Sequence, residues 1–280
     1  MALISMNETT TFRWSFEDDV NNFRRAGMDG IGVWRQKMSD FGDEKGIELL
    51  ADSGLKVACL LWAGGFTGSD GRSHDDSIED ATEAIQLASD MQAECLILYS
   101  GARGGHTHNH ARRLVVSALE QLEPLARDYD VTLAIEPLHR GCAADWTFLT
   151  SLDDAMQLVE QFESPFIKLV FDTYHLGHDQ NILERIRSIV PYVALVQLGD
   201  YKSPPNGEQN RCLLGQGNLP LREIVGSFIT AGYDRFFDVE LLGEEIETTD
   251  YSQLLTTARD AAIDLVKFAG KDGVMLREVK

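Results

Sequence analysis

Four polar residues end four apolar runs in the second half of this 280-residue chain. The runs are Val131–Glu136 (VTLAIE), Ile167–Asp172 (IKLVFD), Val193–Gln197 (VALVQ) and Phe236–Glu240 (FFDVE). Each is short, rich in β-branched or aromatic residues and followed by a helix-like stretch, which is the pattern of a buried parallel strand. Packing alone would fill such strand ends with Val or Leu. Carboxylate and amide oxygens converging at one rim are suitable ligands for a divalent cation such as Mn²⁺, Mg²⁺ or Zn²⁺. The combination of Glu136, Asp172, Gln197 and Glu240 therefore points to an enzyme.

Each residue also has a plainer reading. Glu136 could pair with nearby Arg140, because buried carboxylates are compensated. Asp172 could cap the following helix, and Gln197 alone would be an ordinary polar strand end. Glu240 lies among Asp238, Glu244, Glu245 and Glu247, a cluster that could be solvated surface. Strand alternation, however, places Asp238 and Glu240 on one side, so at least one carboxylate faces inward. The functional reading rests on all four falling at equivalent places.

The elements that must position them alternate along the whole chain. Ala2–Met6, Gly30–Trp34, Lys56–Trp62 and Cys95–Tyr99 read as the first four strands. Helices are expected at Ser15–Ala26, with Ser15 as N-cap and Gly27 as stop, and at Asp43–Ser53, Asp76–Met91 and His110–Tyr129. Four more follow at about Leu152–Phe162, Asn181–Val190, Leu221–Ala231 and Tyr251–Ala269. Strict alternation of eight strands and eight helices predicts a (β/α)₈ TIM barrel, one domain over residues 1–270, with a mixed-charge tail at Lys271–Lys280. An open doubly wound sheet usually has fewer strands and often a glycine-rich phosphate loop after the first, and MNETTTFRW is not such a loop. In a barrel the active site forms at the C-terminal ends of the strands, where the four polar residues fall.

Composition narrows the partners. A formal net charge of −20 disfavours a nucleic-acid backbone and an anionic membrane surface. The four cysteines, Cys59, Cys95, Cys142 and Cys212, are scattered without a CxxC pair, which suits a reducing, cytoplasmic setting. The N-terminus shows no basic region followed by an apolar stretch, and no window reads as a membrane span.

Other residues at the same rim invite attention. His106, His108 and His110 follow the fourth strand in GARGGHTHNHARR, where Asn109 would suit a helix N-cap. His106 is the candidate there for facing substrate. Trp34, Trp62 and Tyr99 end strands two to four, where aromatic rings suit the apolar faces of a sugar and equally suit packing under loops. His139 and Trp146 lie in the loop after strand five, which could cover the site.

The segments LAIEPLHRGCAAD, FDTYHLGHD, LVQLGD and FFDVEL resemble the sugar phosphate isomerase/epimerase-like members of the xylose isomerase-like TIM-barrel superfamily. That superfamily includes ketose epimerases, inosose dehydratases, dehydroshikimate dehydratases and the endonuclease IV group. The resemblance implies that Glu136 and Glu240 bind a metal and exchange protons with substrate, and that Asp172 is a further ligand. It implies that His175 and Arg211 meet the substrate. Gln197 stands where many members have a histidine ligand; this departure favours Mn²⁺ or Mg²⁺ over Zn²⁺ or Co²⁺. The endonuclease branch is disfavoured, because its extra histidines are replaced by Trp62, Tyr99 and Gln197.

The expected function is a divalent-metal-dependent sugar isomerase or epimerase working through an enediolate, with a homo-oligomer left open. His175, Arg211, Trp62, His106 and His139 are the expected substrate contacts. The alternative is a metal-dependent dehydratase or lyase on a keto-sugar, keto-inositol or 3-keto-glycoside. A catalytically inactive sugar- or partner-binding barrel would be expected to have lost a carboxylate, and none is missing.

Overall fold

The computed structural model describes residues 2–275. Eight parallel strands close into a barrel: β1 (Leu3–Asn7), β2 (Gly30–Trp34), β3 (Lys56–Gly64), β4 (Cys95–Tyr99), β5 (Thr132–Ile135), β6 (Ile167–Asp172), β7 (Val193–Leu198) and β8 (Phe236–Val239). Neighbours in sequence are neighbours in the sheet, and β8 returns to β1 with Leu3 opposite Phe236 and Met6 opposite Val239. This is a single-domain TIM barrel.

Strand alternation divides the core in two. One cluster contains strand residues only, among them Cys59, Leu61, Ile97, Val170, Leu195 and Phe236, and fills the barrel interior. The larger cluster joins the outward strand residues to the helix faces, for example Val20, Leu119 and Phe228. Above Phe236 the interior turns polar. Asp238 accepts hydrogen bonds from Ser5 Oγ (2.6 Å) and Asn7 Nδ2 (2.9 Å). Gly32 faces this layer, where a Cβ would stand 3.0 Å from Asn7 Nδ2 and Asp238 Oδ2, so any side chain there would have to push these groups aside.

The helices begin where short polar side chains can satisfy their free N–H groups. Ser15 and Asp18 form a capping box on Phe16–Ala26, which ends at left-handed Gly27. Ser73 and Asp76 do the same for His74–Asp90, two residues before the expected start. Helix His108–Asp128 is capped by Thr107, not Asn109, because the Thr107 hydroxyl accepts the His110 N–H at 3.3 Å.

Several elements lie outside the expected alternation. Arg35–Phe41 and Glu244–Glu247 are short helices, and Thr173–Leu176 is a single helical turn directly after β6. A small antiparallel hairpin pairs Asp200–Tyr201 with Arg211–Cys212 above the mouth. The last helix runs Tyr251–Met275, so the segment read as a tail begins within it; residues 276–280 lie outside the described residues. Among the described residues no helix is long and apolar enough to cross a membrane.

Candidate active site

Three expected residues meet closely. Ligand atoms of Glu136, Asp172 and His175 lie within 4.8 Å of one another, and all three side chains are buried. Glu136 follows β5, its N–H extending the ladder to Leu98 O at 3.2 Å. Its Oε2 is buried with no hydrogen-bond partner, and no ion pair to Arg140 forms among the described residues. Asp172 ends β6 and serves two ends at once. Its Oδ1 caps the following turn by accepting the Tyr174 N–H (2.7 Å), which leaves Oδ2 to the site. That tight turn brings His175 back over the mouth. His175 Nδ1 accepts the His139 N–H at 3.2 Å, which assigns the ring proton to Nε2, 3.5 Å from Asp172 Oδ2.

Gln197 lies beside Asp172 on one side and Asp238 on the other. It is fully buried, and neither its Oε1 nor its Nε2 has a hydrogen-bond partner. An unpaired amide in a barrel interior is costly, so its oxygen is suited to a ligand. Glu240 follows β8. Its Oε1 accepts from Thr9 Oγ1 at 3.0 Å, and its Oε2 is 3.8 Å from Arg211 Nη2. The unpaired oxygens of Glu136 and Gln197, with the Asp172 carboxylate beside both, are donors of the kind a hard or borderline divalent cation takes, and Glu240 shares the cavity wall with Glu136.

Arg211 reaches this set from the hairpin. Its Nη2 donates to Asp172 Oδ2 (2.9 Å) and its Nη1 to Glu208 Oε2 (2.5 Å), while the guanidinium stacks 4.0 Å from the centre of the Tyr174 ring. Glu208 was invisible in the sequence reading. It lies in the irregular loop 202–210 and places Oε1 3.7 Å from His175 Nε2. Thr9 was also missed, because it sits in a 3₁₀ turn after β1 that no apolar pattern marks.

The electrostatics follow from crowding acids in a dry place. Burial raises the pKa of Glu136 well above the usual carboxylate range, and the charges of Glu240 and Asp172 push the same way. Burial also lifts Glu240, to about 8, with Arg211 opposing and Asp172 and Glu208 adding to the rise. Glu208 goes the other way: burial alone would raise it, but Arg211 and His175 outweigh that and hold its carboxyl low. Burial pushes His175 down despite its acidic neighbours, which favours the neutral imidazole.

These groups open on a cavity of about 360 Å³. Glu136, His175, Arg211 and Glu240 form one wall, and Trp34, Trp62, Tyr99 and Trp146 form another. Trp62 thus stands where a sugar contact was expected. Two other expected contacts do not line the cavity. His106 turns its Nε2 to Thr67 O (3.2 Å) and packs on His110, because its glycine-rich loop folds back toward the loop after β3. The His139 ring accepts the Gly141 N–H (3.0 Å) and packs on His178, so only its backbone serves the site, through His175.

A family model described as the xylose isomerase-like TIM barrel matches residues 20–264. The chain is 30% identical over 114 residues to the D-psicose 3-epimerase of Enterocloster bolteae, a match spanning 40% of this chain and 34% of that protein. The chain thus matches about a third of the length of that curated relative. Among solved structures, protein SMc04130 of Sinorhizobium meliloti 1021 superposes with a TM-score of 0.87 at 25% identity, covering 94% of this chain and 98% of that one. The IOLI protein with a bound zinc atom gives a TM-score of 0.82 at 19% identity, covering 94% and 98%. With most of its length matched by the family model, and with this barrel and this order of strand-end residues, the chain belongs to the xylose isomerase-like TIM barrel family.

Proposed function

We propose that this protein is a divalent-metal-dependent sugar epimerase or isomerase that moves a proton on the carbon beside a carbonyl. The observation that carries the reading is a pair of buried carboxylates, Glu136 and Glu240, at one cavity wall, both with a pKa raised by burial, that of Glu240 to about 8. Such groups can take and return protons at working pH. The name of the E. bolteae relative, a ketose epimerase, and the zinc in the IOLI structure support the same reading.

One glutamate removes the α-proton, the C–H electrons move into the carbonyl, and the resulting enediolate is reprotonated by the other glutamate. Return on the opposite face of the same carbon gives epimerisation; return at the neighbouring carbon, with the hydroxyl proton passing to the former carbonyl oxygen as the hydroxyl becomes the new carbonyl, gives aldose–ketose isomerisation. Glu136, Asp172, Gln197 and Glu240, with His175 beside them, would hold the cation. When bound, it supplies Lewis-acid polarisation of the carbonyl. His175 Nε2–H is directed to a substrate hydroxyl, and Arg211 offsets negative charge that develops on oxygen. The substrate is a small sugar or sugar derivative. Four free, buried thiols suit a reducing compartment such as the cytoplasm.

Gln197 at the usual histidine position favours a second outcome from the same enediolate, loss of a β-substituent. Turnover in deuterated water separates the two. Deuterium at the α-carbon of a ketohexose, with no loss of water, supports the epimerase; release of water or aglycone from a keto-inositol or 3-keto-glycoside, without exchange into ketohexoses, replaces it with a lyase.

A further inference from the structure

Three of the four tryptophans in this chain gather on one side of the cavity. Trp34 stacks on Trp62 with ring centres 6.3 Å apart and planes 18° from parallel. Trp62 meets Trp146 edge-on at 5.1 Å, and Tyr99 closes the group at 5.8 Å from Trp62 and 5.7 Å from Trp146. The result is a continuous aromatic wall facing the acids. Trp146 remains 40% exposed although its backbone is fixed, its carbonyl accepting the Gly101 N–H at 2.9 Å and its N–H donating to Ala143 O. A large indole held in place yet left open to solvent is a surface made to be covered.

Charge excludes one class of occupant. Arg211 is the cation of the main cavity wall, and it is already bonded to Asp172 and Glu208. A second cavity of about 220 Å³ shares Trp62, Tyr99 and Trp146, and its cation, Arg72, is likewise paired, with Asp70 at 2.8 Å and Asp80 at 3.1 Å. Among the described residues, a phosphate in either space would face carboxylates and find the lining arginine already paired. The main cavity, at about 360 Å³, falls within the ~300–1,000 Å³ range of sites that enclose drug-sized ligands, and so has room beyond one sugar ring.

From these features we infer that the substrate is a neutral glycoside: a reacting sugar at the acidic wall, linked to a second flat ring, aryl or pyranose, on the aromatic wall. This deepens the proposed function and rests on its placement of the reacting sugar. The acidic wall acts on the carbonyl sugar, and Trp62 and Trp146 select what that sugar is attached to.

Isothermal titration of the Mn²⁺-supplemented protein tests the inference with four unreactive or poorly reactive probes: methyl β-D-glucoside, phenyl β-D-glucoside, methyl β-cellobioside and glucose 6-phosphate. Phenyl glucoside or methyl cellobioside should bind about tenfold tighter than methyl glucoside, a gain expected of one or two good aromatic contacts. Whichever of the two gains identifies the ring. Trp146→Ala, on an exposed loop, should erase the gain, as should Trp62→Leu, while Trp14→Phe, at a residue that packs on Tyr251 and does not line the cavity, should keep it. Equal binding of the three glucosides, or tightest binding of glucose 6-phosphate, overturns the inference. Deuterium exchange by Glu136→Gln separates the two readings: loss of exchange with no ring preference removes only this inference, whereas undiminished exchange removes the proton-transfer reading beneath it.

Discussion

Trp34, Trp62 and Tyr99 stand at or near the ends of β2, β3 and β4, whereas Glu136, Asp172, Gln197 and Glu240 occupy the ends of β5 to β8. The aromatic side is assembled from groups that are cheap to bury, and each ring contact contributes roughly 0.5–1.5 kcal/mol beyond its burial. The acidic side does the opposite. It keeps carboxylates in a dry interior, with Glu136 Oε2 and both amide atoms of Gln197 unpaired by protein. Each such atom costs about 1–3 kcal/mol. Asp238, two residues before Glu240 on the same inward side, shows that this cost is avoidable, since Ser5 and Asn7 satisfy it. Under the proposed function, the acidic side is kept for chemistry and the aromatic side for recognition.

That division can be broken most decisively at the two glutamates. Glu136→Gln and Glu240→Gln should each slow solvent-deuterium exchange into a keto-sugar by about 10²–10⁴-fold, the usual worth of a positioned acid or base. Circular dichroism should show the fold unchanged. If both variants exchange like the parent, the acidic side is not where the proton moves.

Gln197→Leu sharpens the comparison by making the acidic side more like a core. Without metal it should stabilise the protein by about 1–3 kcal/mol in urea unfolding, because an unpaired amide is replaced by an apolar group of similar size. The same variant should bind Mn²⁺ more weakly. A destabilised variant would mean that the amide is already well satisfied and is not poised for a cation.

The smallest effect is expected under the aromatic side, where Glu8 Oε2 accepts the Trp34 N–H at 2.7 Å. Burial, reinforced by the charge of Asp19, raises Glu8 well above its ordinary 4.5, while Lys37 pairs with Asp19 at 2.5 Å. The shift favours the protonated form of Glu8. Its contribution to stability is full below about pH 4.5 and declines as pH rises toward its folded value, because only the unfolded chain gains by ionising. Glu8→Gln has no proton to lose, so it should gain on the parent as pH increases above 4.5. A constant difference between them across that range would show Glu8 to be ionised in the folded protein.

The strand-end residues were legible because buried strands alternate with period two and leave little room for polar exceptions, so Glu136, Asp172, Gln197 and Glu240 stood out. The limits of Phe16–Ala26 were legible for a local reason, a serine cap and a glycine stop. The hairpin that carries Arg211 was not. Its strands are two residues each, and the turn beside them is held by Asp200, whose Oδ2 accepts from the Gly215 and Gly217 N–H groups at 3.0 Å. No periodicity records such a contact, and Glu208 was hidden with it. Asp172 shows that two readings of one residue need not compete, since one oxygen caps a turn and the other faces the site. His106 and His139 mark the converse difficulty. A histidine in a rim loop suggests chemistry, but the loop's own hydrogen bonds decide where the ring points.

The most direct test of the central claim is anomalous diffraction at the manganese edge from crystals of the Mn²⁺-loaded protein. One strong peak is expected within coordination distance of Glu136, Asp172, Gln197 and Glu240, in the cavity that Arg211 lines. A peak elsewhere, or none at saturating Mn²⁺, would contradict it.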